Sequence, residues 1–576
     1  MNGQSTCAPI DQTVSWHSIN WAMAYGYVRR MQARIVKAAQ EGRWNKVKSL
    51  QRMLTSSFYG KALAVRRVTE NQGKRTPGVD EETWSTPGTK TAAIASLKRH
   101  GYKPRPLRRI YIPKSNGKMR PLSIPTMRDR AMQALYLLAL DPVSEVVSDG
   151  QSYGFRKERS THDAIAQCFL NARYFGNPKD GKGSRQSAQW ILEGDIRGCF
   201  DNIDHDWLIN NVPMDKVMLK KWLKAGYMEG NALAPTNQGT PQGGIISPVL
   251  ANFALNGLEA VLRGEFKNEF QFKKAKVNLV RYADDFVITG VSKDLLESCI
   301  KPAVTGFLAT RGLELSPEKT KISHITEGYD FLGQNVRRYN KKLLIKPSVK
   351  NVKAFLTKVR GVIKKLAAAP QQQLIKALNP MIVGWTLYHR HVVAKKTFSN
   401  VGSQIWYALW QWAKRRHPKK TAPWIRPRYF HRIGHRHWVF AVDTGEKRTD
   451  GTAIHYFLRS VADMPIDRHQ KIKSDANPYD PHWEQYFEKR ATWKMTLSLG
   501  GRKKLVNLWL SQQGKCLVCR QTLHPWQWHK HHLLERSRGG KAVASNEVLL
   551  HDVCHKQVHN QGIKLQKPGP WQHGPL

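Results

Sequence analysis

The feature that most constrains this chain is VNLVRYADDFVITG at 277–290. Two apolar runs meet at Ala283, Asp284 and Asp285, and adjacent carboxylates between strand-like runs mark a hairpin tip. Successive strand side chains point to opposite faces. The two acids are therefore not equivalent: Asp284 is expected to bind metal directly and Asp285 to sit peripherally. A partner acid is available in Asp195, which closes the apolar run ILEGDI at 191–196. Asp195 and Asp284 at two strand ends would face each other across a sheet. Two Mg²⁺ ions about 4 Å apart would fit between them, one activating a 3′-hydroxyl and the other stabilising pyrophosphate. Mg²⁺ uses few carboxylates and takes further ligands from substrate phosphates.

Charge narrows the partners. Lys and Arg number 93 against 43 Asp and Glu, a formal net charge of +50 over 576 residues. Such a chain repels itself unless a polyanion neutralises it, and nucleic acid does so with release of counterions. Residues 98–120 hold nine Lys or Arg and no acid. RRIYIPK at 108–114 alternates like a strand, and NGK at 116–118 turns it back. Arg105, Arg108, Arg109, Lys114, Lys118 and Arg120 are thus candidates for contact with a phosphate backbone. Residues 411–438 hold nine Lys or Arg, no acid and four Trp or Tyr. That mixture suits phosphate pairing and base stacking, with Lys414, Arg415 and Arg416 as candidates. No apolar run reaches the 18 residues that would suggest a membrane span, and no signal-peptide pattern opens the chain. Seven cysteines are too few for a disulfide scaffold. A reduced, cytoplasmic setting follows as an expectation.

Helices are predicted over 19–39, 44–58, 86–99 and 126–147, and strands over 191–196, 277–290 and a hairpin near 329–346. Residues 351–366, 374–390 and 401–416 follow with helical spacing. The expected order is strands alternating with helices, then helices only. Residues 176–188 read as an exposed polar loop. Phe200, five residues past Asp195, is either a core residue or a ring under the nucleotide sugar that excludes a 2′-hydroxyl. Gln242 and Gly243 in PQGG at 241–244 allow close backbone approach of a template or nucleotide. GLELSPEKTK at 312–321 brings lysines, Lys319 among them, that suit a triphosphate.

The last three cysteines form a different pattern. Cys516-x-x-Cys519 and His551-x-x-Cys554 are two close ligand pairs with good spacing for a tetrahedral structural Zn²⁺. A module of about 60 residues would draw much of its folding energy from that ion. Between and after the pairs lie HKHH at 529–532, Asn546, His555 and His559.

Seven ordered segments then resemble one family, the group II intron-encoded reverse transcriptases, also called maturases. They are RRIYIPKSNGKMRPLSIPTMRDRAMQ at 108–133, QSYGFRKERSTHDA at 151–164, GDIRGCFDNIDH at 194–205, TPQGGIISPVLAN at 240–252, RYADDF at 281–286, GLELSPEKTK at 312–321 and FLGQNVR at 331–337. LNPMIVGW at 378–385 is similar to part of the family's thumb. The tail resembles an HNH endonuclease.

The resemblance implies an α/β right-hand polymerase with fingers and palm, an α-helical thumb or maturase domain X, a basic DNA-binding region and a small zinc-stabilised ββα-metal module. The corresponding boundaries are 1–90 for a helical basic extension, 91–345 for fingers and palm, 346–421 for the thumb, 422–510 for DNA binding and 511–576 for the HNH module. It implies catalytic Asp195, Asp284 and Asp285, and an aromatic gate at Phe200. By the same resemblance His531, His555 and His559 hold a divalent ion, expected to be Mg²⁺. His532 is the general base and Asn546 orients its loop. Two departures stand out: His529 where many relatives carry an acid, and Glu535 where many carry proline. The implied partners are intron RNA as a lariat ribonucleoprotein, target DNA and dNTPs, with no membrane and a bacterial, nucleoid-associated setting. The implied activities are assisted splicing, target-primed reverse transcription and second-strand cleavage. The alternatives are an RNA-directed RNA polymerase and an RNA-binding splicing cofactor without enzymatic output.

Overall fold

The computed structural model describes residues 15–113, 117, 119–173, 187–230, 232–340, 342–447, 453–499, 503–524, 528–534 and 543–566. A four-stranded antiparallel sheet runs in the order Asn278–Tyr282, Asp285–Gly290, Trp190–Asp195, Lys321–His324. Both of its faces are buried. Leu192, Leu279, Phe286 and Ile288 join a core shared with the N-terminal helices. Ile191, Val280 and Val287 join a second core shared with the later helices. Alternation along each strand sends neighbours into different cores, which is why these segments read as continuous apolar runs. Each fully buried aliphatic side chain contributes roughly 1.5–3 kcal/mol.

Three helices, Trp21–Gln40, Trp44–Ser56 and Phe58–Glu70, pack on the long helix Met127–Val147. The third was not predicted: it begins where the helix expected over 44–58 ends. Ser57 makes the break: its backbone is extended (ψ 143°), and its hydroxyl accepts from the Gly60 amide at 3.0 Å. That is an N-cap. Pro142 lies inside the long helix and supplies no N–H to the carbonyl one turn earlier. Gln32 fills the gap, donating to the Leu138 carbonyl at 2.8 Å. The N-terminal helices therefore share the palm's core rather than hanging from it as an extension.

The basic hairpin forms as expected, Leu107–Pro113 pairing antiparallel with Met119–Ile124. Leu107–Pro113 also pairs in parallel with Tyr227–Glu229. Lys114 and Lys118 lie outside the described residues, as do 176–186 of the polar loop expected over 176–188, whose last two residues, Ser187 and Ala188, are buried and not exposed. After a small sheet of Tyr329–Phe331, Gln334–Tyr339 and Lys342–Pro347 come the helices Val349–Lys365, Gln371–His389 and Lys395–Arg416.

The expectation of helices only beyond this point does not hold. Phe430–Ile433, Arg436–Lys447 and Ala453–Phe457 form a three-stranded sheet. That sheet also changes the reading of the aromatics in 411–438. Trp412 and Tyr429 are buried in the core, and Trp438 packs on Trp406, Trp410 and Phe430. Only Trp424 of the four is open, at 39% exposure, with Lys420 and Arg428 over its ring. The tryptophans were expected on a stacking surface, yet most of them fasten the sheet to the thumb. Two further helices, Glu484–Leu499 and Lys503–Ser511, precede the cysteine-rich module. Among the described residues, no helix is long and apolar enough to cross a membrane.

Candidate functional site

The central acids converge through strand register. Asp195 is the direct cross-strand partner of Asp285, with Gly194 opposite Phe286. Residues in register on adjacent strands share a face, so Asp285 lies beside Asp195 and is not peripheral. Asp284 occupies the turn, next to Ala283 at φ 59°. Burial, followed by the nearby charges of Asp284 and Asp195 and a hydrogen bond with Asp195, pushes the Asp285 carboxyl up to about 7. Burial and Asp195 also raise Asp284. Lys319 brings its ammonium 2.7 Å from Asp195 Oδ2, and that ion pair raises the lysine. Asp284 and Asp285 hold their protons more tightly than usual, a crowding that a divalent cation relieves, and with Asp195 they offer the hard oxygen donors that Mg²⁺ takes.

These shifts have a measurable sign. A carboxyl whose pKa is raised on folding favours the protonated folded state. It therefore weakens the fold as pH rises from the unfolded value toward 7, and this penalty is absent below about pH 4. Asp285→Asn is expected to raise the thermal midpoint at pH 8 in Mg²⁺-free buffer by roughly 1–3 °C, a small effect because Asp285 is partly open to water. No gain is expected at pH 4. A midpoint gain that is equal at both values would remove the charge cluster as its cause.

Beneath the turn, Arg281 is fully buried. Its guanidinium donates to Asn252 Oδ1 at 3.1 Å, Asn256 Oδ1 at 2.7 Å and the Ala283 carbonyl at 3.3 Å. Burial lowers its pKa to about 10. Arg281 was not singled out in the sequence, although it is the one cation inside the apolar run 277–282. Gly154 explains the neighbouring QSYGF segment: a Cβ there would lie 2.2 Å from the Ala283 amide nitrogen. That segment pairs with the hairpin that carries Asp284 and Asp285 through Tyr153 N–H to the Arg281 carbonyl at 2.9 Å.

Phe200 sits on the short helix Cys199–Asn202, half-buried, with its ring 6.1 Å from that of Phe155. It lines a cleft of about 340 Å³ with Asp201, Gln242, Tyr227 and Arg109. Gln242 bridges the cleft. Its amide donates to Asp201 at 3.1 Å, while its oxygen accepts from Arg120 Nε at 2.7 Å. Gly243 has φ 120°, and a Cβ there would meet the Ser123 carbonyl at 2.5 Å. Only glycine suits that approach. The PQGG turn thus ties the hairpin of the fingers to the palm.

The basic candidates divide. Arg105 and Arg120 are exposed, and Arg108 and Arg109 are half-buried, Arg109 lying 3.8 Å over the Tyr227 ring. Lys414 and Arg415 are exposed. Arg416 turns inward and donates to the Ala367 and Ala369 carbonyls at 2.8 and 3.0 Å. It fastens the end of the first thumb helix.

The C-terminal module holds two clusters. Ligand atoms of Cys516, Cys519, His551 and Cys554 all lie within 4.8 Å of one another, as do those of His531, His555 and His559. In the first, His551 presents Nδ1 3.3 Å from Cys519 Sγ while Nε2 faces the Thr522 carbonyl at 3.2 Å. A carbonyl behind a ligating imidazole fixes its orientation, and the three-sulfur, one-nitrogen set suits Zn²⁺. In the second, burial followed by the charges of His559 and His529 lowers the His555 pKa, which keeps a lone pair for a metal.

His532 lies apart from this triad. The strand His529–His532 pairs with Glu547–Leu550, placing His532 opposite Glu547 and His531 opposite Val548. His531 and His532 therefore point to opposite faces. His532 Nε2 lies 3.5 Å from the fully buried Glu547, which also takes Lys530 at 2.8 Å. Asn546 braces the following loop, accepting from the Leu534 amide at 2.7 Å and donating to its carbonyl at 3.0 Å. Glu547 was missed in the sequence because its role depends on this pairing. His529 stacks toward His555 and lies 3.6 Å from Asp552. Glu535 lies outside the described residues.

Comparison with known proteins places four families along the chain. N-terminal domain of reverse transcriptase matches 16–97, and reverse transcriptase (RNA-dependent DNA polymerase) matches 112–336. Group II intron, maturase-specific domain matches 352–430, and HNH endonuclease matches 516–561. Protein YkfC of Escherichia coli is 31% identical over 54% of this chain and 88% of its own. Group II intron-encoded protein LtrA of Lactococcus lactis is 34% identical over 48% of this chain, which spans about half, 54%, of that relative. A structure of telomerase from Candida albicans with a fragment of telomeric RNA overlaps 56% of this chain and 64% of its own. Its identity is 12% and its TM-score 0.32, too loose to carry an argument.

Proposed function

The chain belongs to the group II intron-encoded reverse transcriptases, or maturases, with an HNH endonuclease domain, and from this premise we propose that it copies its intron RNA into DNA at a nicked target. The observation that carries the reading is the pairing of Asp195 with Asp285 beside the turn residue Asp284, with Lys319 on Asp195. Two bound Mg²⁺ ions would supply activation of the primer 3′-hydroxyl and stabilisation of the leaving pyrophosphate. Asp195, Asp284 and Asp285 hold the negative charge that recruits them. Lys319 shields Asp195 until the incoming triphosphate competes for its ammonium, and it then neutralises phosphate oxygens. Arg281 and Gly154 keep the turn in place. Gln242, held by Arg120 and Asp201, positions the template–nucleotide pair over the cleft. Arg105, Arg108, Arg109, Lys414 and Arg415 contact the RNA and DNA backbones.

In the C-terminal module, Cys516, Cys519, His551 and Cys554 would hold a structural Zn²⁺. His531, His555 and His559 would hold a divalent ion, Mg²⁺ in our reading, whose charge would polarise the scissile phosphate. His532 takes the proton of the attacking water. Its Nε2 faces Glu547, so Nδ1 is the accepting nitrogen, and the buried carboxylate stabilises the imidazolium that forms. The nick supplies the DNA primer. The partners are intron RNA in a lariat ribonucleoprotein, target DNA and dNTPs, inside a bacterial cell at the nucleoid.

Primer extension tests the reading. Purified protein, an RNA template, an annealed DNA primer, Mg²⁺ and dNTPs are expected to yield full-length DNA. No product under these conditions would leave the splicing-cofactor alternative in its place. Phe200→Ala is expected to raise rNTP incorporation relative to dNTP by about 10- to 100-fold, the scale of losing one close steric contact. An unchanged ratio would return Phe200 to a packing role.

A further inference from the structure

The two ends of the chain meet at the zinc cluster. Arg66 lies on the helix Phe58–Glu70, far from the cysteines in sequence, yet its Nη2 is 3.6 Å from Cys554 Sγ. The side chain is buried, 5% exposed. Its Nε donates to both oxygens of Glu70, at 3.0 and 3.2 Å. Its guanidinium lies 4.5 Å from the Trp21 ring centroid and 5.6 Å from that of Tyr25. Trp16, Trp21, Cys516, Cys519 and Cys554 belong to one buried cluster. Gln557, on the helix that carries Cys554, reaches the His17 carbonyl at 3.4 Å. Cys516, Cys519 and Cys554 are fully buried, while Tyr25, Arg66, Glu70 and His551 line a cavity of about 920 Å³ beside them.

We propose that Arg66 is the outer-sphere partner of the Cys516, Cys519, His551 and Cys554 cluster and clamps the nuclease module onto the helical domain beside the polymerase. The inference rests on the reading of that cluster as a zinc site. Three thiolates and one imidazole around a divalent ion leave one net negative charge, carried on sulfurs that are themselves buried from water. The guanidinium meets it with a charged N–H···S contact, while Glu70 and the Trp21 and Tyr25 rings fix its plane. Arg66 reaches a cluster sulfur from outside the module, whereas His551, which also meets one, is a member of the cluster. Metal and docking are then linked: holding the ion tightens the junction, and the junction tightens the hold on the ion.

The experiment uses the full chain loaded with one Zn²⁺. Release into a colorimetric chelator is followed for wild type, Arg66→Met and Arg66→Lys, with primer extension as the check on folding. Arg66→Met is expected to release zinc about 10-fold faster or more, the usual scale for losing an outer-sphere partner. Arg66→Lys, which keeps the charge without the planar fork, should fall between. An unchanged release rate in an Arg66→Met protein that still extends primers overturns the inference. Should Arg66→Met fail to fold, hydrogen exchange on wild type decides. Zinc removal is expected to deprotect amides of Phe58–Glu70 and spare Trp44–Ser56, whereas unchanged protection at Phe58–Glu70 overturns the clamp. A wild-type chain that takes up no zinc overturns the zinc reading itself, a result separate from either of these.

Discussion

Asp284→Ala will abolish extension of a DNA primer on an RNA template, with a loss on the order of a thousand-fold or more. Removing one of three carboxylates that gather charge for a two-metal site sacrifices several kcal/mol of transition-state stabilisation, and each 1.36 kcal/mol is about tenfold in rate. The turn itself should survive. Arg281 holds it through the Ala283 carbonyl and two asparagines, none of which uses the Asp284 side chain. Intron RNA binding should change little, because it is spread over the basic surfaces of fingers and thumb and follows the number of phosphate contacts. The measurement pairs single-nucleotide incorporation with RNA affinity and assisted splicing in the same preparation. Loss of RNA binding in step with loss of synthesis would show that Asp284 acts on folding and not on chemistry.

The second large effect is expected in the C-terminal module. His532→Ala should reduce second-strand nicking by about 10²- to 10⁴-fold, the usual contribution of a general base. Primer extension on a pre-nicked duplex should be unchanged. The strand pairing makes this a clean separation: His532 faces Glu547, while His531 faces the side of His555 and His559. The variant therefore leaves the triad intact, and its divalent-ion affinity should match wild type. Equal nicking by His532→Ala would remove the residue from the base role. A parallel loss of metal would instead make His532 a ligand, against the register of its strand.

Much of the architecture was legible because it is written locally. Helical spacing in 351–366 and 401–416 recurs as Val349–Lys365 and Lys395–Arg416. The apolar runs on either side of Asp284 and Asp285 became adjacent strands, Asn278–Tyr282 at the sheet's edge and Asp285–Gly290 inside it, in a sheet buried on both faces. The sheet at 430–457 was missed because its aromatic and basic residues resemble a nucleic-acid surface until they are packed on the thumb. The helix Phe58–Glu70 was not predicted; it starts from the Ser57 cap, directly after the helix expected over 44–58.

The sequence by itself determined which chemistries are present: paired acids between buried strands, two cysteine–histidine pairs at zinc spacing, and a histidine-rich tail. Tertiary structure alone decided who faces whom. It set Asp285 against Asp195, gave Lys319 to Asp195, turned His532 toward Glu547, drew Arg416 into the thumb and brought Arg66 to Cys554. The physical reason is that strand register and domain docking are long-range. A one-residue slip exchanges the two faces of a strand while leaving every local pattern unchanged.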